Sequence, residues 1–230
     1  MAFHFPDRPA ELAETQLIDA ILDGTFPVNS SLPSERELAA LLGITRPTLR
    51  EVLQRLSRDG WIEIHHGKST RVCDFWQEGS LTILGTISRR KANLPPTFIY
   101  DLLQIRALLA PTYFRLAFEN RKPEVLELLE KSTGIPDDPM AFTEWDWQLH
   151  YRMTILSGNP VFTLILNGFM ELYKMLGPVY FANPAFRTHS CLFYARLLNL
   201  VLTGDSITFE AETKIVMEES ITNWQTIRQI

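Results

Sequence analysis

The chain of 230 residues predicts a mainly α protein, an N-terminal winged helix-turn-helix followed by a C-terminal all-α antiparallel helical bundle. Three observations carry that expectation. Residues 34 to 72 hold two short amphipathic patterns separated by a turn and followed by the alternating signal of a β-hairpin. From about residue 80 the strand signals cease. Every later break between apolar patterns carries proline or glycine, at Pro95-Pro96, Pro123, Pro136 and Pro139, Gly158-Asn159-Pro160, Asn183-Pro184 and Gly204-Asp205. Two domains follow, residues 1–78 and 79–230.

Taken in order, residues 1 to 9 have two prolines and no apolar period, and are expected to be an arm. Residues 10 to 24 form an amphipathic helix with Leu12, Ile18, Ile21 and Leu22 inward and Gly24 as its stop. FPVNSSLPSE carries turn chemistry. Ser34 then caps a helix with Glu37 at the capping-box spacing and Leu38, Leu41 and Leu42 as apolar positions. Gly43 ends it. Thr45 caps the next helix, Pro47 falls in its first turn, and Leu49, Val52, Leu53 and Leu56 recur at helical spacing.

Arg46, Thr48, Arg50 and Arg58 lie largely off that apolar stripe, the first three near the helix start. A recognition helix needs long donors there, where its first turns meet base edges and phosphates. Arginines on a helix are also commonly a solvated face. What favours nucleic acid is the agreement of a short turn, polar residues at the start of the second helix and a basic-tipped hairpin. Gly60 stops the helix, WIEI alternates as a strand, His66-Gly67-Lys68 supplies a turn and STRV returns. Phe75-Trp76 just beyond either seals the base of the domain or forms a contact between domains or subunits.

Charge does not oppose this. The formal net is −5, but from Arg36 to Arg71 there are 7 basic residues against 4 acidic ones. A local positive patch serves a regulator that seeks few sites, because global positive charge promotes nonspecific association. A 46% hydrophobic content supports real cores. The opening stretch lacks the charged-then-apolar pattern of a signal peptide, and no apolar run is long enough to span a bilayer. Cys73 and Cys191 lie outside any metal or redox motif. A cytoplasmic protein without membrane association is expected. With no nucleophile elbow, phosphate loop or redox pair, an enzyme is not.

Beyond residue 80, helices are expected over roughly 80–92, 96–120, 123–132, 139–157, 160–182, 185–203 and 206–229. Arg106 shares a helical face with Ile99, Leu102, Leu103, Leu109 and Tyr113. An arginine on an apolar stripe needs an anion or several acceptors. The partner is either internal, Glu219 or Asp146, or a ligand's carbonyl, carboxylate or phosphate. Ser220 and Trp224, four apart on the last helix, share a face with Val216 and belong either to the core or to a polar-mouthed apolar pocket. Asp146 and His150 have the spacing of two metal ligands on one helix. With His189 the only other bundle histidine, a site of several imidazoles cannot be completed.

These motifs resemble the GntR family of regulators, FadR subfamily, over nearly the full length. LPSERELAALLGITRPTLREVLQRLSRDGWIEIHHGKSTRV with the following FW marks the broad family. LLQIR, SGNPVFTLILNG, YFANP and ESITNW are the more specific part. The resemblance implies a homodimer on double-stranded operator DNA, with recognition helices in the major groove and the wing in the minor groove. It assigns the DNA contacts to Arg36, Thr45, Arg46, Thr48, Arg50, His66 and Gly67. Pro47 stands where well-known members carry a hydroxyl residue. It also implies an effector, long-chain fatty acyl-CoA, rather than a cofactor, with Arg106, Tyr180, Ser220 and Trp224 in the pocket. Regulation of fatty acid metabolism follows from that ligand. The alternative the wider family offers is a metal- and carboxylate-sensing regulator of sugar-acid or amino-acid metabolism. Those relatives hold a metal with an Asp-x-x-x-His pair and two later histidines. Asp146 and His150 match the pair, but the later positions fall on Tyr194 and on a segment near Glu218 without histidine.

Overall fold

A computed structural model describes residues 9–65, 67–88 and 97–227. The chain divides into two compact units, Met1–Asn93 and Leu94–Ile230. The helix Leu81–Ser88 groups with the first unit.

In the first unit α1 (Pro9–Leu22) buries Ala13, Leu17, Ile18 and Ile21, and packs on α3 (Arg46–Asp59). Ile18 and Ile21 are buried as expected, while Ala13 and Leu17 take the inward positions expected of Leu12 and Leu22. Leu12 is half exposed and the small Ala13 takes the contact, which lets the two helices approach. The helix α2 (Glu35–Leu41) opens with the reciprocal capping box, Ser34 Oγ accepting from the Glu37 amide while the Glu37 carboxylate accepts from the Ser34 amide at 3.0 Å. Its buried positions are Leu38 and Ala39, while Leu41 points to solvent. In α3, Leu49, Val52, Leu53 and Leu56 are all buried. The helix ends at Gly60, whose φ of +91° suits a residue without a Cβ.

The hairpin is shorter than its sequence pattern. β1 (Ile62–Glu63) pairs antiparallel with β2 (Arg71–Val72). The stretch expected as a loop adds a third edge: Leu32 N–H donates to Thr70 O at 2.8 Å and Val72 N–H to Ser30 O at 2.9 Å. Arg71 is held between Glu63 (3.0 Å), Glu78 (2.6 Å) and Asn29 (3.0 Å), which ties the hairpin to the chain that leaves it. Phe75 is buried with its ring 5.1 Å from Trp61 and seals the base, whereas Trp76 remains half exposed. The helix α4 (Leu81–Ser88) follows.

The second unit is helical throughout its described residues: α5 (Phe98–Glu130), a 3-10 turn Lys131–Gly134, α6 (Pro139–Leu156), α7 (Pro160–Asn167), α8 (Met170–Phe181), α9 (Pro184–Thr203) and α10 (Ser206–Ile227). Three of these helices start by one local rule. Asp138, Asn159 and Asn183 each cap through a side-chain oxygen, and each is followed by a proline whose missing N–H costs nothing at that position.

The expected break between helices 96–120 and 123–132 is present within the span of α5: the backbone leaves helical geometry at Arg121 (φ −147°, ψ 46°), two residues before Pro123, and two helical segments meet there at a kink. Proline breaks the local ladder, but buried Val125, Leu128 and Leu129 continue the apolar face beyond it. One boundary differs from expectation: 160–182 is split between α7 and α8 at Gly168-Phe169. The backbone departs from the helix at Phe169 (φ −101°, ψ −2°), which lines the cavity described below.

The core lies where α5, α6, α9 and α10 meet, around Phe114, Leu149, Met153, Phe193, Leu197 and Phe209, and α10 packs most extensively along α5. At Gly177 of α8 an added Cβ would stand 2.4 Å from Thr143 Cγ2, so glycine is what allows α8 to lie against α6 there.

Candidate functional site

The first unit presents its polar side chains on α2, α3 and the hairpin. Thr45 Oγ1 accepts the Thr48 amide at 3.3 Å and lies 2.8 Å from the Thr48 hydroxyl, so both threonines belong to the helix start. Arg36 on α2 and Arg46 and Arg50 on α3 are exposed. Arg50 Nε donates to Glu35 Oε2 at 2.9 Å, which places the beginning of α2 beside the second turn of α3. Gly67 takes φ +75° in the hairpin turn. His66 lies outside the described residues.

The second unit contains a mostly apolar, partly open cavity of about 140 Å³, with walls such as Leu102 and Leu109 of α5, Ile165 of α7, Leu176 of α8, Phe193 of α9 and Met217 of α10. All four residues singled out as ligand contacts, Arg106, Tyr180, Ser220 and Trp224, line this one space, together with Asp146 and His150. They come from α5, α6, α8 and α10. The shared face of Ile99, Leu102, Leu103, Arg106, Leu109 and Tyr113 on α5 is the cavity wall.

At the polar end Arg106 Nη2 donates to Ser220 Oγ at 2.9 Å, and Ser220 in turn donates to Met217 O at 2.7 Å. Arg106 Nη1 stands 3.8 Å from Asp146 Oδ2. Glu219, the other candidate partner, pairs instead with His189 at 2.7 Å. Asp146 accepts from the Tyr194 hydroxyl at 2.7 Å and from the Tyr173 hydroxyl. Burial penalises this carboxylate, but His150, Arg106 and the two tyrosine hydrogen bonds outweigh it and hold its pKa below the ordinary value. Burial raises both tyrosines far above their usual range, so they act as neutral donors.

His150 behaves in the opposite way. Burial pushes its pKa down to about 4 against the attraction of Asp146, and the imidazole is neutral at pH 7. Its Nδ1 lies 2.5 Å from the Tyr113 hydroxyl, and its Nε2 stands 3.9 Å from Asp146. With histidine neutral, the positive charge that balances Asp146 at pH 7 is Arg106. Three buried nitrogens at this end have no hydrogen-bond partner among the described residues: Arg106 Nε, His150 Nε2 and Trp224 Nε1. Buried polar atoms of this kind are normally satisfied, and Arg106 Nε and Trp224 Nε1, which can only donate, are places for an acceptor.

These residues do not fit a metal. Both Asp146 oxygens are engaged by tyrosine hydroxyls, His150 Nδ1 is taken by Tyr113, and a guanidinium occupies the position beside the carboxylate that a cation would need. Among the described residues no cluster of three or more His, Cys, Asp or Glu forms. The tyrosines that complete the network, Tyr173 and Tyr194, were not legible as Asp146 partners. Tyrosine on an apolar helix face gives no signal of what its hydroxyl will meet.

Residues 9–72 match the model of bacterial regulatory proteins of the gntR family, and residues 73–230 that of the FadR C-terminal domain. A fatty acid metabolism regulator protein of Shewanella denitrificans is 41% identical over 220 residues, 96% of this chain and 92% of that protein. That of Erwinia tasmaniensis is 42% identical over 195 residues, 85% of this chain and 82% of that protein. Among solved structures, that of Lar, a protein that controls expression of the Listeria monocytogenes agr system, aligns with a TM-score of 0.60 at 14% identity, covering 96% of this chain and 98% of that one, a likeness of fold alone. Capped helix pair, hairpin, closed helical bundle and full-length relatives agree: the chain belongs to the gntR family of bacterial regulatory proteins, in the branch that carries the FadR C-terminal domain.

Proposed function

We propose that this chain is a DNA-binding transcriptional regulator of fatty acid metabolism, released from its operator by long-chain fatty acyl-CoA. Its family and relatives are regulators rather than enzymes. No helix among the described residues is long and apolar enough to cross a membrane. The observation that carries the ligand half is the cavity: apolar walls, with Arg106, Ser220 and Trp224 gathered from two helices at one polar end, two of them with an unsatisfied donor. An acyl chain fits such walls, and each CH₂ buried contributes about 0.8 kcal/mol. Its carbonyl is an acceptor for the open donors.

A homodimer presents two copies of α3 to the half-sites of a pseudo-palindromic operator. Arg36, Thr45, Arg46, Thr48 and Arg50, with the wing turn at His66 and Gly67, make the DNA contacts. An apolar cavity of roughly 150 Å³ accommodates a guest about the size of benzene, so a long acyl chain requires the walls of this one to move. That movement is where ligand binding gains leverage. The effector releases DNA only by binding a conformation incompetent for the operator better than the competent one.

The test is binding of the purified protein to an operator fragment at fixed salt, titrated with a long-chain acyl-CoA. Release by acyl-CoA at concentrations that leave an unrelated regulator bound supports the assignment. Persistent binding at saturating acyl-CoA overturns the ligand half.

A further inference from the structure

We propose that Asp146 sets the charge selectivity of the cavity: by compensating Arg106 in advance, it reserves the polar end for a neutral carbonyl acceptor and turns away a carboxylate. The inference rests on the acyl-binding assignment above and adds to it a residue that touches the outcome through Arg106.

An arginine in an apolar cavity ordinarily invites an anion. Here the invitation is already answered. Asp146 lies 3.8 Å from Arg106 Nη1, is buried, and is locked by Tyr173 and Tyr194. Its charge and that of Arg106 cancel, and no other ionised group among the described residues lies within salt-bridge distance of either. A second carboxylate entering from the cavity gains little net attraction, because Arg106 draws it while Asp146 repels it. It still loses its hydration, and that loss is unfavourable in a mostly apolar cavity.

A neutral carbonyl meets the opposite situation. The open donors Arg106 Nε and Trp224 Nε1 need an acceptor and not a charge. A thioester, ester or amide oxygen supplies one with far less desolvation. The same acyl chain is therefore sorted by its head: neutral derivative in, free acid out. Asp146→Asn keeps the size of the side chain and a carbonyl for Tyr194, and leaves Arg106 uncompensated. Arg106→Gln leaves the carboxylate uncompensated and should reverse the preference toward a cation.

The experiment is calorimetric titration of the full-length protein and both variants with dodecanoate, dodecylammonium and the dodecanoyl thioester of N-acetylcysteamine, all below their micellar concentrations. In the parent protein the thioester should bind at least about tenfold more tightly than dodecanoate. In Asp146→Asn the affinity for dodecanoate relative to that for the thioester should rise about tenfold or more. In Arg106→Gln dodecylammonium should gain by a similar factor, which keeps the test decisive if Asp146→Asn does not fold. Equal binding of dodecanoate and thioester by the parent, or no such gain of either ion in its matching variant, overturns the role of Asp146. Absence of thioester binding to the parent overturns the acyl-site assignment itself, a separate result.

Discussion

Arg106 and Ser220 stand 114 positions apart in the chain and meet at 2.9 Å, joining α5 to α10 at the polar end of the cavity. The serine hydroxyl also donates back to Met217 O, so it offers the guanidinium a fixed lone pair. Asparagine in place of Ser220 brings a larger side chain into a site that is 5% exposed. The Ser220→Asn protein should keep its operator affinity within about threefold, because nothing in the first unit changes. Release by acyl-CoA should need at least about tenfold more ligand, since new volume in a packed wall costs roughly 1–3 kcal/mol. Operator binding with and without acyl-CoA reads both. Normal release would remove Ser220 from the site.

Arg46 heads α3 and is exposed, so its removal disturbs no packing. Arg46→Ala should weaken operator binding by about 1–3 kcal/mol and lower the slope of log affinity against log salt if the contact is to phosphate. Thermal unfolding should not change. Arg50→Ala should cost less, because Arg50 must first exchange Glu35 for DNA. Unchanged operator affinity in both variants would refute the docking of α3.

The buried, neutral His150 makes stability depend on pH in a defined direction. Its folded pKa of about 4 lies below the ordinary histidine value of 6.5. Between those values the unfolded chain binds the proton and the folded one does not. The contribution is complete above about pH 6.5 and is lost as pH falls toward 4, by about 3 kcal/mol in total. Urea denaturation at pH 7 and pH 4.5 should show a large loss in the parent and a much smaller one in His150→Asn. Equal losses would mean that the histidine is not held neutral.

Gly177 is the close approach between α8 and α6. Alanine ordinarily improves a helix by up to about 1 kcal/mol. Here its methyl would sit against Thr143. Gly177→Ala should therefore destabilise the protein, by about 1–3 kcal/mol. A rise in melting temperature would show that the two helices have room.

Several features were legible because they are local. The capping box at Ser34 and Glu37, the threonine cap and early proline of α3, and the Asp-Pro or Asn-Pro starts of α6, α7 and α9 each concern one turn of backbone. The amphipathic stripe of α3 and the mixed stripe of α5 were equally plain, since 3.6-residue periodicity is a property of the chain alone. Arg106, Ser220 and Trp224 could be flagged as polar residues out of place on such stripes.

What those residues would meet was a matter of tertiary structure. The choice of Asp146 over Glu219 as the partner of Arg106, and the capture of Asp146 by Tyr173 and Tyr194, depend on how four helices pack. So do the break at Gly168-Phe169 and the burial of Ala13 and Leu17 of α1 in place of Leu12 and Leu22. Each of these depends on contacts between residues far apart in the chain, which helical periodicity does not encode. By itself the sequence determined which helices form, where most begin and which residues were out of place. The packing of those helices decided which distant groups became neighbours, and through them the charge of the cavity.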